Sequence, residues 1–206
     1  VLESNKEKAW GQNIILSKED NWGINYIGIA ETEQIKKEVA DYIEEWLIDI
    51  SRQSNYQTHE ETFMYQLKEL DYSWNLKDKV LSTSPNNLKT KNAMQELEHI
   101  YKNLESCVQG KVIRSEIINL SPNSSIRTHK DRGDLLYLSR RFHIPIITNE
   151  MCTFTVDGEV FHLEEGNVYE LNNRRYHSVQ NSSDKNRIHL IVDVLPIAHT
   201  KNIEFL

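Results

Sequence analysis

Two histidines and an aspartate are the side chains of this sequence best suited to hold a metal ion. His129 and Asp131 stand two apart, so on an extended strand both leave the same face and can approach one ion from adjacent directions. A third ligand must come from elsewhere, and His177 lies 46 residues beyond Asp131. Two histidines and one carboxylate on one face of an octahedral ion leave three positions open, the arrangement of non-haem Fe(II) oxygenases, in which an oxo-acid and O2 take the open places. By itself an HxD pair says little. Lys130, Arg132, Gly133 and Asp134 around it equally suit a polar turn, and Asn172-Asn173-Arg174-Arg175-Tyr176 before His177 suits an exposed loop.

Arginines shift the balance. Arg187 opens the apolar run Ile188-His189-Leu190-Ile191-Val192, where it must either sit at a rim or point inward at an anion. A guanidinium keeps its charge when desolvated and its planar fork fits a carboxylate. Arg141 and His143, again two apart, precede Ile144-Pro145-Ile146 and could share a face to supply donors to a second carboxylate. 2-Oxoglutarate has a carboxylate at each end and a keto oxygen beside one of them, which this set would match group for group. His189 shares a face with Arg187, where packing in a barrel wall is the simpler role.

These side chains need strands to carry them, and the second half of the sequence supplies a run of short ones. From Lys111 the hydrophobic period is two, placing Val112, Arg114, Glu116, Ile118 and Leu120 on one face. Ser121-Pro122-Asn123-Ser124 reads as a turn, and Asp157-Gly158 between Thr153-Phe154-Thr155-Val156 and Glu159-Val160-Phe161 predicts a two-residue hairpin. Glu164-Glu165-Gly166-Asn167 turns the chain before Val168 to Leu171, and Arg187 to Val194 is a last strand stopped by Pro196. The first 110 residues read differently. Ile35, Val39, Tyr42, Ile43, Trp46, Leu47 and Ile50 form a helical stripe over Glu33 to Ser51; Leu88, Met94, Leu97, Ile100, Tyr101 and Leu104 form another over Asn87 to Cys107, with Gly110 as its stop. Tyr56 to Leu81 has aromatics and no clear period. The expected fold is mainly β with helical support (α+β), a jelly-roll or cupin-like barrel packed on N-terminal helices, with residues 1–206 as one domain, 1–110 its helical part and 111–206 its jelly-roll core.

Composition narrows the partners. The 206 residues suffice for one well-buried domain. Thirty-one acidic against 24 basic residues give a formal charge of −7, which disfavours a nucleic-acid substrate. Cys107 and Cys152 are far apart with no CxxC, so a reducing, cytoplasmic setting is expected. No apolar run approaches the roughly 20 residues of a membrane span, and no leader is visible in Val1 to Trp10.

His129 through Val194 resembles the aspartyl/asparaginyl β-hydroxylase family, and also free-proline hydroxylases, within the 2-oxoglutarate/Fe(II)-dependent dioxygenases. The matching elements are His129-x-Asp131, Arg141-x-His143-Ile144-Pro145-Ile146, Gly166, His177-Ser178-Val179-x-Asn181-Ser182-Ser183, Arg187 ten residues after His177, and Ile191-Val192-Asp193-Val194. The resemblance implies a double-stranded β-helix with Fe(II) on His129, Asp131 and His177. It implies Arg187 on the far carboxylate of 2-oxoglutarate, and Arg141 with His143 on the carboxylate next to the keto group. The implied reaction uses O2 to hydroxylate an aliphatic C–H of a small-molecule or peptide substrate (an amino acid or Asp-, Asn- or Pro-like side chain), with release of succinate and CO2. Asp131 departs from those aspartyl/asparaginyl hydroxylases that have no carboxylate beside the first histidine and sides with the proline hydroxylases. Where some relatives place a hydroxyl before the metal pair, this chain offers Glu116, Ile118 and Leu120. Two other readings compete: a cupin-like enzyme of another class using a different metal, and a non-catalytic jelly-roll module gripping an acidic ligand with Arg141 and Arg187.

Overall fold

The computed structural model describes residues 20–46, 62–70, 80–81, 83–85, 88–199 and 204–205. β1 (Ile24–Ile29) and α1 (Glu33–Trp46) come first, followed by β2 (Thr62–Leu70), β3 (Val80–Leu81), β4 (Thr83–Pro85) and α2 (Lys91–Val108). A run of strands follows: β5 (Gly110–Leu120), β6 (Ser124–His129), β7 (Arg140–Ile147), β8 (Cys152–Val156), β9 (Glu159–Phe161), β10 (Asn167–Leu171), β11 (His177–Asn181) and β12 (Arg187–Pro196). A short helix α3 (Asp134–Leu138) precedes β7, and β13 (Glu204–Phe205) pairs in parallel with β3.

Seven strands form a major sheet in the order β1-β10-β7-β12-β5-β2-β4, and four form a minor sheet, β6-β11-β8-β9, all paired antiparallel. This is the double-stranded β-helix expected of the sequence. Both faces of the major sheet are buried, against different partners. Ile188, Leu190, Val192 and Val194 of β12 and Phe142, Ile144 and Ile146 of β7 join one core with Ile35 and Val39 of α1 and Leu97, Ile100 and Leu104 of α2. The alternate residues, Arg187, His189 and Asp193 on β12 and Arg141 and His143 on β7, are equally buried but point into the barrel. A second core of Leu120, Ile126, Phe154, Val156, Leu163, Leu171 and Val179 closes the space between the sheets.

The two helices clamp each other by their ends. Buried Glu38 of α1 accepts from the Thr90 amide at 2.8 Å, the Thr90 hydroxyl at 2.6 Å and the Lys89 amide, just where α2 begins with Thr90 as its N-cap. Glu96 of α2 accepts in return from the Gln34 and Ile35 amides at 2.9 and 3.0 Å in the first turn of α1. Each carboxylate thereby satisfies amides that a helix start leaves without a partner.

Three expectations change. The part read as helical, 1–110, carries α1 and α2 but also β1 to β4, and β1, β2 and β4 widen the major sheet. In β2 Leu67 lies under the helices, but Phe63-Met64-Tyr65 puts apolar side chains on both faces and a register shift falls between Gln66 and Lys68, so no clear period shows. Gly110 does not cap α2. Gln109 takes the left-handed conformation there (φ 53°, ψ 55°), and Gly110 starts β5 where a Cβ would meet the Leu195 carbonyl oxygen at 2.5 Å. Val112 leaves the face of Arg114, because a bulge shifts the register beside Asp193 and Val194. The extension of the first helix beyond Trp46 lies outside the described residues. The Asp157-Gly158 hairpin is present, both residues having positive φ (47° and 89°) as such a turn requires.

Candidate metal centre

His129 ends β6, His177 starts β11, and the two are direct cross-strand partners. A register shift between His177 and Val179 puts the extra residue next to the pair, and the ring centroids lie 4.3 Å apart. Asp131 follows on a loop whose Asp131 amide donates to the Asn173 carbonyl at 3.3 Å, tying it to the segment before His177. Ligand atoms of His129, Asp131 and His177 all fall within 4.8 Å of one another.

The hydrogen bonds also fix how each group points. His129 Nδ1 donates to the Arg127 carbonyl at 2.7 Å and His177 Nδ1 to the Arg175 carbonyl at 3.0 Å. Both rings thereby hold their proton on Nδ1 and turn the Nε2 lone pair toward Asp131 Oδ1, at 3.9 and 4.0 Å. Burial lowers the His177 pKa to about 4, so its imidazole is neutral at ordinary pH. Burial would raise the Asp131 carboxyl, but the Arg141 guanidinium outweighs it and holds the group well below the usual carboxylate range. Two imidazoles presenting Nε2 and one carboxylate are the donor set that a divalent cation needs, so these residues fit the metal that the sequence implies.

Arg141 stands behind this triad. Its Nη1 donates to Asp131 Oδ2, and its Nε and Nη2 grip Asp193 Oδ1 and Oδ2 at 2.8 and 2.9 Å. The position expected beside the keto-side carboxylate of a co-substrate is therefore occupied by an arginine with three of its N–H groups on aspartates. Arg114 adds a further cation, its Nε 3.1 Å from Asp193 Oδ2 and 3.3 Å from Glu116 Oε1.

Arg187 is the opposite case. It is 4% exposed, and no carboxylate pairs with it among the described residues. Its Nη2 donates to His189 Nδ1 at 3.0 Å, its guanidinium lies 5.9 Å from the Phe154 ring centroid, and burial alone draws its pKa down to about 10. Around it, both ring nitrogens of His143 and Nε2 of His189 are buried with no hydrogen-bond partner among the described residues. Burial pushes both imidazoles well below their ordinary pKa, Arg141 adding to the effect at His143 and Arg187 at His189, so both are neutral. Phe154 links the regions, its ring centroid 6.0 Å from that of His177 and 5.3 Å from that of His143. A desolvated cation and two imidazole N–H groups without partners are costly unless an acceptor completes them, and an anion is one.

In the segment before His177, which by sequence suits an exposed loop, Asn172 and Asn173 are instead buried staples, donating to the Trp22 and Leu136 carbonyls. Arg174 packs on Tyr137 and donates to its carbonyl. Arg127 and Arg132 are exposed. Sequence reasoning missed Asp193, and it left Arg114 and Glu116 without a role. Their signal was a charged residue on the inward face of an otherwise apolar strand.

Comparison with known proteins gives a family and a fold. An L-proline cis-4-hydroxylase of Rhizobium meliloti (strain 1021) is 29% identical over 94 residues, 44% of this chain, and the chain spans 34% of the length of that relative. Among solved structures, a viral collagen prolyl hydroxylase of Paramecium Bursaria Chlorella virus-1, in its 2OG complex, superposes with a TM-score of 0.54 at 7% identity over 85% of this chain and 97% of its own. A Pseudomonas putida prolyl-4-hydroxylase superposes with the same TM-score, 0.54, at 12% identity over 85% and 94%. These two share the fold. The sequence model of the aspartyl/asparaginyl β-hydroxylase family matches residues 30–196, most of the chain, and the protein belongs to that family.

Proposed function

We propose that the protein is a 2-oxoglutarate- and Fe(II)-dependent dioxygenase that hydroxylates an aliphatic C–H of an amino acid or a peptide side chain, releasing succinate and CO2. The observation that carries this reading is the buried Arg187, which has no carboxylate partner among the described residues and lies on the other side of Phe154 from the His129, Asp131 and His177 triad. A metal site explains the triad and a dicarboxylate explains Arg187. A ligand with a chelating keto-acid at one end and a carboxylate at the other explains both.

In this reading His129 and His177 bind Fe(II) through Nε2 and Asp131 through Oδ1. Arg187 would form a charge-assisted pair with the far carboxylate, and His189, fixed by Arg187 with its proton on Nε2, has that buried N–H without a partner among the described residues and able to donate beside it. His143 is proposed to bind the carboxylate next to the keto group, with the charge of Arg141 behind it. The bound iron and co-substrate supply the oxidising power; the protein orients them, excludes water and keeps the reacting centre away from its own side chains. The family and the proline cis-4-hydroxylase relative support an Asp-, Asn- or Pro-like substrate.

Anaerobic addition of Fe(II) and 2-oxoglutarate tests the proposal. A weak visible charge-transfer band, followed by succinate on admission of air, is expected. A cupin-like enzyme of another class, or a metal-free acid-binding module, would give neither. His129→Ala and Asp131→Ala should abolish both signals; succinate formation at the wild-type rate in Asp131→Ala would remove the ligand assignment.

A further inference from the structure

We propose that Asp193 is a positioning residue of the metal centre, acting through Arg141 on Asp131. The proposal rests on the metal-site reading above and adds the device that presents the carboxylate to the ion.

Asp193 lies on β12 between β5 and β7, directly across from Arg114 on one side and Arg141 on the other. It is fully buried, as an unpaired carboxylate could not be. The two arginines hold it from both sides: Arg141 with two parallel bonds of 2.8 and 2.9 Å, Arg114 at 3.1 Å. Arg141 is thereby immobilised, and its remaining terminal nitrogen is aimed at Asp131 Oδ2. With Oδ2 taken, the oxygen left to the metal is Oδ1, the one nearest both imidazole Nε2 atoms at 3.9 and 4.0 Å. Asp131 is therefore set as a one-oxygen ligand in a fixed rotamer, although it sits on a loop beyond the end of β6.

Charge gives Asp193 a second effect. An arginine touching a ligand carboxylate opposes a divalent cation in the same place, because it neutralises the negative charge that draws the ion. Asp193 neutralises Arg141 in turn. Across the row Asp131, Arg141, Asp193, Arg114 and Glu116 the signs alternate, three negative against two positive, so one negative charge is left over for the ion. Loss of Asp193 would both loosen Arg141 and leave two negative charges against two positive ones, with none left over for the ion.

The test is metal binding without turnover. Metal-free wild type, Asp193→Asn, Arg141→Met and the double variant are titrated anaerobically with Co(II), without 2-oxoglutarate, reading affinity and the visible d–d spectrum. Asp193→Asn is expected to weaken Co(II) by about tenfold to a hundredfold and to alter the band intensities, the range typical of groups that orient metal ligands. In the Arg141→Met background the same substitution should have little further effect, because the route through Arg141 is already gone. Wild-type affinity and spectrum in Asp193→Asn, or an undiminished loss in the Arg141→Met background, overturns the proposal. Should Asp193→Asn fail to fold, Arg141→Lys reads the same link: a lysine cannot hold Asp193 with two bonds and Asp131 with a third, so the same loss is expected and unchanged affinity overturns it. A wild type that binds no Co(II) or Fe(II) overturns instead the metal reading on which this one stands.

Discussion

Arg187 and Arg141 are both buried arginines of the barrel interior, and their partners give them opposite natures. Arg141 has its charge answered by Asp131 and Asp193, which raise its pKa despite burial. Arg187 has no such answer, and its pKa falls. A buried charge without a counter-charge destabilises the fold that contains it. Stability and function should therefore part company at this position. Arg187→Met is expected to weaken 2-oxoglutarate binding by about 2 kcal/mol or more, on the order of thirtyfold, because a buried charged hydrogen-bond partner is lost. The same variant should melt higher than wild type when both are free of ligand. Calorimetric titration and thermal melts of the metal-loaded and metal-free proteins check the two halves; a lower melting temperature for ligand-free Arg187→Met would mean that the arginine is a structural cation. Arg141→Met should behave in the opposite way and lower the melting temperature, since it takes the arginine from Asp131 and leaves Asp193 to Arg114 alone.

At the scale of elements, the site is held by parts that never touch it. Asn181, at the far end of β11 from His177, accepts from the Ser183 amide and hydroxyl and donates to the Leu120, Ser121 and Lys185 carbonyls. One amide thus joins the ends of β5 and β11 to the turn that leads into Arg187, a physical reason for the Asn-Ser-Ser run after His177. Asn181→Ala should lower the melting temperature and also weaken 2-oxoglutarate, whereas a purely local role would move stability alone. The helix pair gives a cleaner separation. Glu38→Ala removes the acceptor for two amides and a hydroxyl under α2, and a hydrogen bond to a charged group contributes about 1.5–3 kcal/mol. The expected loss is about 2 kcal/mol, seen as a melting temperature lower by about 4–8 °C for a chain of this length. Co(II) affinity should be unchanged, since α1 and α2 cover the face of the sheet opposite the barrel interior. A fall in affinity on Glu38→Ala would show that the helices set the spacing of the inward residues as well as the stability of the sheet.

For the molecule as a whole, what was legible in the sequence follows from where contrast survives. β7 and β12 were readable because polar residues alternate with apolar ones along much of each strand, and β8 because its apolar Cys152, Phe154 and Val156 alternate with threonines up to the Asp157-Gly158 turn. β1 and β2 were not, since Ile24 to Ile29 and Thr62 to Leu70 place apolar or aromatic residues on both faces. His129, Asp131 and His177 could be paired before any coordinates because their spacing is that of a family. The Arg141 to Asp193 bond could not, because it depends on strand register across β7 and β12, which no local pattern encodes. The same burial of polar groups makes a prediction about pH. His177, His143 and His189 have folded-state pKa values below the ordinary 6.5, chiefly through desolvation, His177 at about 4. A group with a depressed folded pKa is protonated more readily in the unfolded chain, so its contribution is fully present above about pH 6.5 and is lost as pH falls through the folded value. Asp193 and Asp131, also depressed, act in the same direction further down, below their ordinary 3.8. The ligand-free protein should therefore lose stability steadily from about pH 6.5 downward, before most carboxylates titrate. His189→Gln, which removes one neutral buried imidazole and keeps an amide able to face Arg187, should flatten that slope between about pH 6.5 and 4.5. Melting temperatures across this range, for both proteins without metal or co-substrate, decide it: parallel curves would mean that His189 is not held neutral and that the cavity is wetter than its geometry implies.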